Sequence, residues 1–195
     1  MTEQSNVAIR ERPLPEVKAE ISRRAGHLNP LDGIHAEDAE RISKALTSLD
    51  RDEWAREWSK VGFEYEAKAD ALEKSGGERN QIRELYELAF NYFRIGRYPC
   101  AGSPGQAQAY RDSLRAFRKA ARYFDPPMEI VEVAFGDRKL IGYLQIPPGV
   151  SKPPVVMHWG GVDGWKEDRQ RAHARFNRAG LAGFAIDMPG TGESP

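Results

Sequence analysis

Two glycine-rich segments near the end of the chain carry the residue types that could do chemistry: His158-Trp159-Gly160-Gly161-Val162-Asp163-Gly164 and Asp187-Met188-Pro189-Gly190-Thr191-Gly192-Glu193-Ser194. Glycines after a strand let backbone N–H groups face a reacting carbonyl without side-chain hindrance. Pre-aimed donors of that kind stabilise the negative oxygen of a tetrahedral intermediate, and one such donor is worth about 3–4 kcal/mol of barrier. The same glycines also suit a sharp turn that needs them for its dihedrals alone, and the loop by itself leaves both readings open. A phosphate-binding loop is disfavoured, because G-x-G-x-x-G is absent after the strand and no Gly-Lys-Ser/Thr follows. His158 and Asp163 are expected to orient the first loop by hydrogen bonding, with His158 standing ahead of any nucleophile rather than serving as a base. Asp187 either caps its own turn or touches a substrate.

The elements that must hold these loops follow from a change of period near residue 127. Residues 1–33, polar and punctuated by Pro13, Pro15 and Pro30, read as an extended arm with at most one short helix. From Ala36 to Phe124 apolar residues recur at helical spacing: Ile42, Leu46 and Leu49; Trp54, Trp58, Val61 and Tyr65; Ile82, Leu85, Leu88, Ala89 and Tyr92. Ser75-Gly76-Gly77 and the stretch from Gly96 to Pro104 separate these helices, and a further one is expected over 106–123. Residues 34–127 are thus a helical domain. Beyond Asp125-Pro126-Pro127 the pattern alternates over 128–135 and 139–146 around Gly136-Asp137, which predicts an antiparallel hairpin. Val155-Val156-Met157 is a continuous apolar run, expected as a strand buried on both faces. A helix over 166–179 and a second buried strand over 181–186 complete a βαβ unit with parallel strands. Both glycine loops then lie at carboxyl ends of parallel strands, where open α/β sheets place ligands.

Composition excludes several classes. Lysine plus arginine equals aspartate plus glutamate at 29 each, so charge marks neither a nucleic acid nor an anionic membrane as partner. No run of about 18 apolar residues and no signal pattern at the N-terminus occur, which points to the cytoplasm. Cys100 stands alone, so an internal disulfide and a cysteine-based zinc site are out, and it reads as a buried or half-buried thiol.

Taken together, the two loops resemble the α/β-hydrolase superfamily, in which a His-Gly-Gly type loop follows the third strand and D-x-P-G-x-G-x-S follows the fourth. Residues 128–195, about a third of the chain, match the first four strands of that fold. A helical domain ahead of the sheet, with Gly160-Gly161-Val162-Asp163-Gly164-Trp165-Lys166-Glu167-Asp168, is similar to the FrsA-like branch. That branch includes pseudooxynicotine-type C–C bond hydrolases and fungal hydrolases that shorten polyketide pigment precursors. The resemblance implies an α/β fold with a helical lid before an incomplete hydrolase sheet, oxyanion amides near Gly161 and Val162, and a small-molecule carbonyl substrate. It implies serine acyl transfer on an ester or on a C–C bond beside a ketone, without cofactor or metal. Trp58, Glu64, Tyr65, Tyr86 and Tyr92 on the lid, with Trp159 and Asp187, could face the substrate; their spacing suits core packing as well.

Such enzymes place a serine on a G-x-S-x-G elbow, then an acid, then a histidine, and this pattern is absent from the sequence. Ser103 lies between helices, and Ser194 has no helix behind it. The chain is expected to be inactive alone, with the triad beyond Pro195, as a fragment of a longer product that lacks its C-terminal half or as one chain of a split hydrolase; a homodimer is a further possible assembly. Its third strand should then expose an apolar edge. A competing reading comes from Trp58-x-x-Val61-Gly62-x-x-Tyr65, which imitates the opening of a tetratricopeptide repeat and would make the helices a peptide-binding scaffold. Only one degraded copy follows, at Tyr92-Phe93-Arg94-Ile95-Gly96, short of the three or so units a solenoid needs.

Overall fold

The computed structural model describes residues 12–194. Five helices come first: α1 (Leu14–Arg24), α2 (Ala36–Ala45), α3 (Arg51–Lys74), α4 (Arg79–Gly96) and α5 (Pro104–Ala121). Their starts are written in the sequence. The Asp50 carboxylate accepts the Asp52 and Glu53 amides at 3.0 and 2.9 Å, and Ser103 accepts the Gln106 amide at 3.2 Å just before Pro104, which satisfies donors a helix leaves orphaned. Leu49, expected in a helix, lies instead in the turn that Asp50 closes.

Two clusters make up the helical core. Trp58, Tyr92 and Ile95 are fully buried with Ile21, Leu31 and Ile42 in the first; Tyr86, Phe93, Phe117 and Tyr143 form the second. The arm is therefore not extended over its described part. Residues 14–24 form α1, and Ile21, Ala25 and Leu31 are buried with the helical domain; the rest of the expected arm, residues 1–11, lies outside the described residues. Asp38 is the polar hub of the first cluster. The hydroxyls of Tyr65 and Tyr92, stacked at 5.3 Å, both donate to its Oδ2 at 2.7 Å. Burial pushes the Asp38 carboxyl up, but bonds from Tyr92, Tyr65 and Arg41 outweigh it and hold the group below the usual range.

The second region is a four-stranded sheet in the order β1-β2-β4-β3: β1 (Met128–Phe135), β2 (Arg138–Gln145), β3 (Val155–Trp159) and β4 (Ala182–Ile186). β1 and β2 form the expected hairpin, β2 pairs antiparallel with β4, and β3 pairs parallel with β4 in the register Val155↔Ala182 to Trp159↔Ile186. Between β3 and β4 the expected single helix is split into a 3-10 turn, Lys166–Arg169, and α6, Gln170–Arg178.

β3 departs from expectation. Val155, Met157 and Trp159 are 58%, 57% and 56% exposed, because they point to the sheet face opposite α6. The alternate residue His158 packs inward on His173 and Phe176 of α6. The apolar run reports a strand with both faces meant for burial, while only one is covered within these residues. β3 is also the sheet edge, as anticipated.

Candidate functional site

The loop after β3 is a tight, pinned turn. A Cβ on Gly160 would sit 1.5 Å from the Gly164 carbonyl oxygen, so no side chain fits there. The Gly161 amide donates to that same oxygen at 3.0 Å. Gly161 N–H is thus consumed inside the turn, which corrects the expectation that it is an oxyanion donor. Val162 is the outward position: it is 72% exposed, its carbonyl accepts the Trp165 indole N–H at 3.1 Å, and its amide has no partner among the described residues.

α4 holds the loop from the other side. Arg97, 2% exposed, donates from Nη1 to the Asp163 carbonyl at 2.9 Å and to the Pro99 carbonyl at 3.1 Å, and its guanidinium lies 3.7 Å from the Trp165 ring centre. Burial pulls its pKa down and the Asp168 carboxylate resists. Asp168 accepts the Trp165 amide at 2.7 Å and the Arg94 Nη1 at 3.1 Å. Asp163 therefore takes part through its backbone; its exposed carboxylate meets only the Tyr98 hydroxyl, at 3.4 Å. His158, at the base of the loop, has its Nε2 2.8 Å from Nε2 of His173.

The loop after β4 is joined to the first by a buried ion cluster. Asp187, 4% exposed, accepts the Lys166 amide at 2.8 Å, Lys166 Nζ at 2.8 Å and the Glu193 amide at 3.1 Å. Lys166 Nζ also reaches Glu167 at 2.7 Å and Glu193 at 2.9 Å, with its side chain wholly buried. Burial disfavours the ammonium, but Glu167, Asp187 and Glu193 outweigh it and raise its pKa. Burial raises that of Glu167. Asp187 thus ties the two loops together through three hydrogen bonds to a buried carboxylate.

The lid aromatics expected to wall a pocket are packed inside the helical domain, whereas Trp159 ends β3 beside the loop and is 56% exposed. Trp58 and Tyr92 are 0% exposed inside the helical core, and Tyr65 stacks on Tyr92. Tyr86 is buried and donates to Asp70 and Glu73, at 2.6 and 2.9 Å; Glu64 pairs with Arg41 at 2.8 Å on the surface. Core packing, the other reading their spacing allowed, accounts for Trp58, Tyr65, Tyr86 and Tyr92, while Glu64 is a surface ion-pair partner. A cavity of about 280 Å³ does open between α4 and the start of α6, lined in part by Glu87, Phe90, Arg94, Phe117, Phe124 and Gln170. Lys166, Arg97 and His173 were not singled out in the sequence. Asp168, three residues after Trp165, was within reach as an N-terminal cap at the spacing such caps use. Among the described residues no group of His, Cys, Asp and Glu is arranged to hold a metal, and no helix is long and apolar enough to cross a membrane.

A mixed sheet with paired glycine loops at the ends of β3 and β4, preceded by a helical domain, defines the front of an α/β-hydrolase fold. The solved 2,6-dihydroxy-pseudo-oxynicotine hydrolase matches with a TM-score of 0.68 at 22% identity, over 90% of this chain and 46% of that one. AbyA5 matches with a TM-score of 0.62 at 21% identity, over 81% and 41%. The family model described as Esterase FrsA-like matches residues 35–195, and the chain belongs to that family. Esterase FrsA of Vibrio parahaemolyticus is 30% identical over 143 residues, covering 72% of this chain and 33% of the relative. Hydrolase pyiE of Pyricularia grisea is 28% identical over 178 residues, covering 80% and 38%. The chain spans about a third of the length of these curated relatives. The family match includes α2 to α5, so the helices lie within the matched region together with the sheet.

Proposed function

We propose that this chain supplies the helical lid and the oxyanion side of a hydrolase that cleaves an ester, or a C–C bond next to a ketone, in a small-molecule carbonyl substrate. The chemistry is acyl transfer to a serine. The observation that carries the proposal is the amide of exposed Val162, without a partner among the described residues, at the carboxyl end of β3 in a turn pinned by Gly164, Trp165 and Arg97. A donor fixed in place before reaction stabilises a developing negative oxygen without reorganisation. The ester alternative draws support from the name of the Vibrio relative, and the C–C alternative from the family resemblance set out above.

In this reading the nucleophilic serine, its acid and its histidine come from outside residues 1–195, and no cofactor takes part. The uncovered sheet face carrying Val155, Met157 and Trp159 packs against whatever brings them, a C-terminal half or the other chain of a split enzyme.

The test is to treat extract of the native source with a fluorophosphonate and to probe it with an antibody to residues 128–194. A labelled serine in a species carrying that epitope, or in a chain that co-purifies with it, is the expected result. An epitope-bearing species with the mass of 195 residues alone, unlabelled and without a partner chain, would overturn the acyl-transfer mechanism.

A further inference from the structure

We propose that His173 is a positioning residue for the loop after β3, acting through His158 and fixed in turn by Gln145. The inference rests on the reading of that loop as the oxyanion side of the site. It starts from Pro126, where the helical domain hands over to the sheet. The Pro126 carbonyl oxygen can only accept, so the group 2.6 Å away must be the Gln145 amide nitrogen donating to it. That choice turns Gln145 Oε1 toward His173 Nδ1, 3.2 Å away, which must then carry a proton. A neutral imidazole protonated on Nδ1 offers Nε2 as an acceptor. The 2.8 Å contact between the two Nε2 atoms is therefore a bond donated by His158 N–H to His173.

The surroundings keep both rings neutral. His173 is 1% exposed and meets Gln145 from β2, His158 from β3 and the backbone at Gly183 of β4, with no carboxylate among them. Burial first, and His158 second, bring its pKa down to about 4. His158 faces His173 and Phe176 of α6, and burial together with the Arg169 charge keeps its pKa below the ordinary value. A Cβ on Gly183 would come 2.7 Å from the His173 ring, so the imidazole lies directly against the strand. Each bond fixes the direction of the next, and the last one sets tautomer and ring angle for the residue two before Gly160. The relay spans the domain junction, β2, α6 and β3, so it couples the loop to the position of the helical domain.

Long-range proton–nitrogen NMR of the chain at neutral pH should show His173 protonated on Nδ1 and His158 on Nε2; the reverse assignment overturns the proposal. Two variants then separate positioning from packing. His173→Phe keeps the ring and loses the nitrogens, whereas His173→Gln keeps an acceptor for His158 and a donor for Gln145. Loss of one buried hydrogen bond should speed exchange of the Gly161 amide about tenfold in H173F, and H173Q should restore most of the protection. A mere packing role gives the opposite order, with Phe tolerated and Gln damaging. Should H173F fail to fold, Gln145→Leu cuts the relay one step further from the loop, and a folded Q145L with unchanged Gly161 exchange overturns the proposal. Absence of a labelled serine would sink the acyl-transfer reading while leaving these results standing, so the two fail separately.

Discussion

The helical domain and the sheet treat their large apolar side chains in opposite ways. In the helices Trp58, Tyr86, Tyr92, Phe93 and Ile95 are all fully buried, and even the polar atoms of the tyrosines find carboxylates inside. In the sheet, Val133, Phe135, Val155, Met157 and Trp159 are between 43% and 59% exposed, four of the five above half. An antiparallel sheet tolerates one wet face, but that face is then normally polar; here it is not. The helical half satisfies its own packing, and the sheet half has burial capacity left over.

The largest expected effect tests that contrast directly. Trp58→Ala should lower stability by about 3–5 kcal/mol in chemical denaturation, the cost of a large core cavity, while Trp159→Ala should change it by less than about 0.5 kcal/mol. Similar losses for the two would break the comparison.

Lys166→Met removes the cation from among Asp187, Glu167 and Glu193 and leaves buried carboxylates without their partner, for an expected loss of about 3–5 kcal/mol. A loss below about 1 kcal/mol in the same measurement would mean that the two glycine loops are not one unit.

The third prediction concerns pH. His173 has a folded-state pKa of about 4 against an ordinary 6.5, so between those values the folded chain binds fewer protons than the unfolded one. Its contribution is complete above pH 6.5 and is lost as pH falls toward 4, by at most roughly 3 kcal/mol. Denaturation midpoints measured across that window should slope accordingly, and the slope should flatten in H173F. Smaller again is Gly160→Ala, which forces the turn apart at the Gly164 oxygen and should cost about 1–3 kcal/mol. Smallest is Met157→Lys on the open face, within about 0.5 kcal/mol in stability but with reduced self-association by light scattering.

Much of this architecture could be read from sequence because it is local. The α3 to α5 boundaries followed from aromatic spacing, from Ser75-Gly76-Gly77 and from prolines, and the hairpin and βαβ unit followed from period and turn residues. α1 is the one short helix the sequence allowed within residues 1–33, but its docking was not legible, since Ile21 is buried against residues that come later in the chain. The site was legible as a place but not in its assignments. Asp38 recruits tyrosines 27 and 54 residues away, and those bonds decide that Tyr65 and Tyr92 face the core. Asp187 finds Lys166 across 21 residues, and His158 finds His173 across 15, within a βαβ unit whose alignment only three dimensions reveal. Gly161 could not be discounted as a donor until the turn geometry showed its amide bonded to Gly164.

The strand order has a consequence for how the chain is made. β4 lies between β2 and β3, yet it is the last of the four to leave the ribosome. The helices, whose packing joins neighbours in sequence, can fold while the sheet is still being synthesised, whereas β3 has no strand to pair with until β4 arrives. During that interval Val155, Val156 and Met157 form an unpaired apolar ribbon. Pairing with β4 then satisfies the β3 backbone, while the Val155 and Met157 side chains stay exposed on the open sheet face.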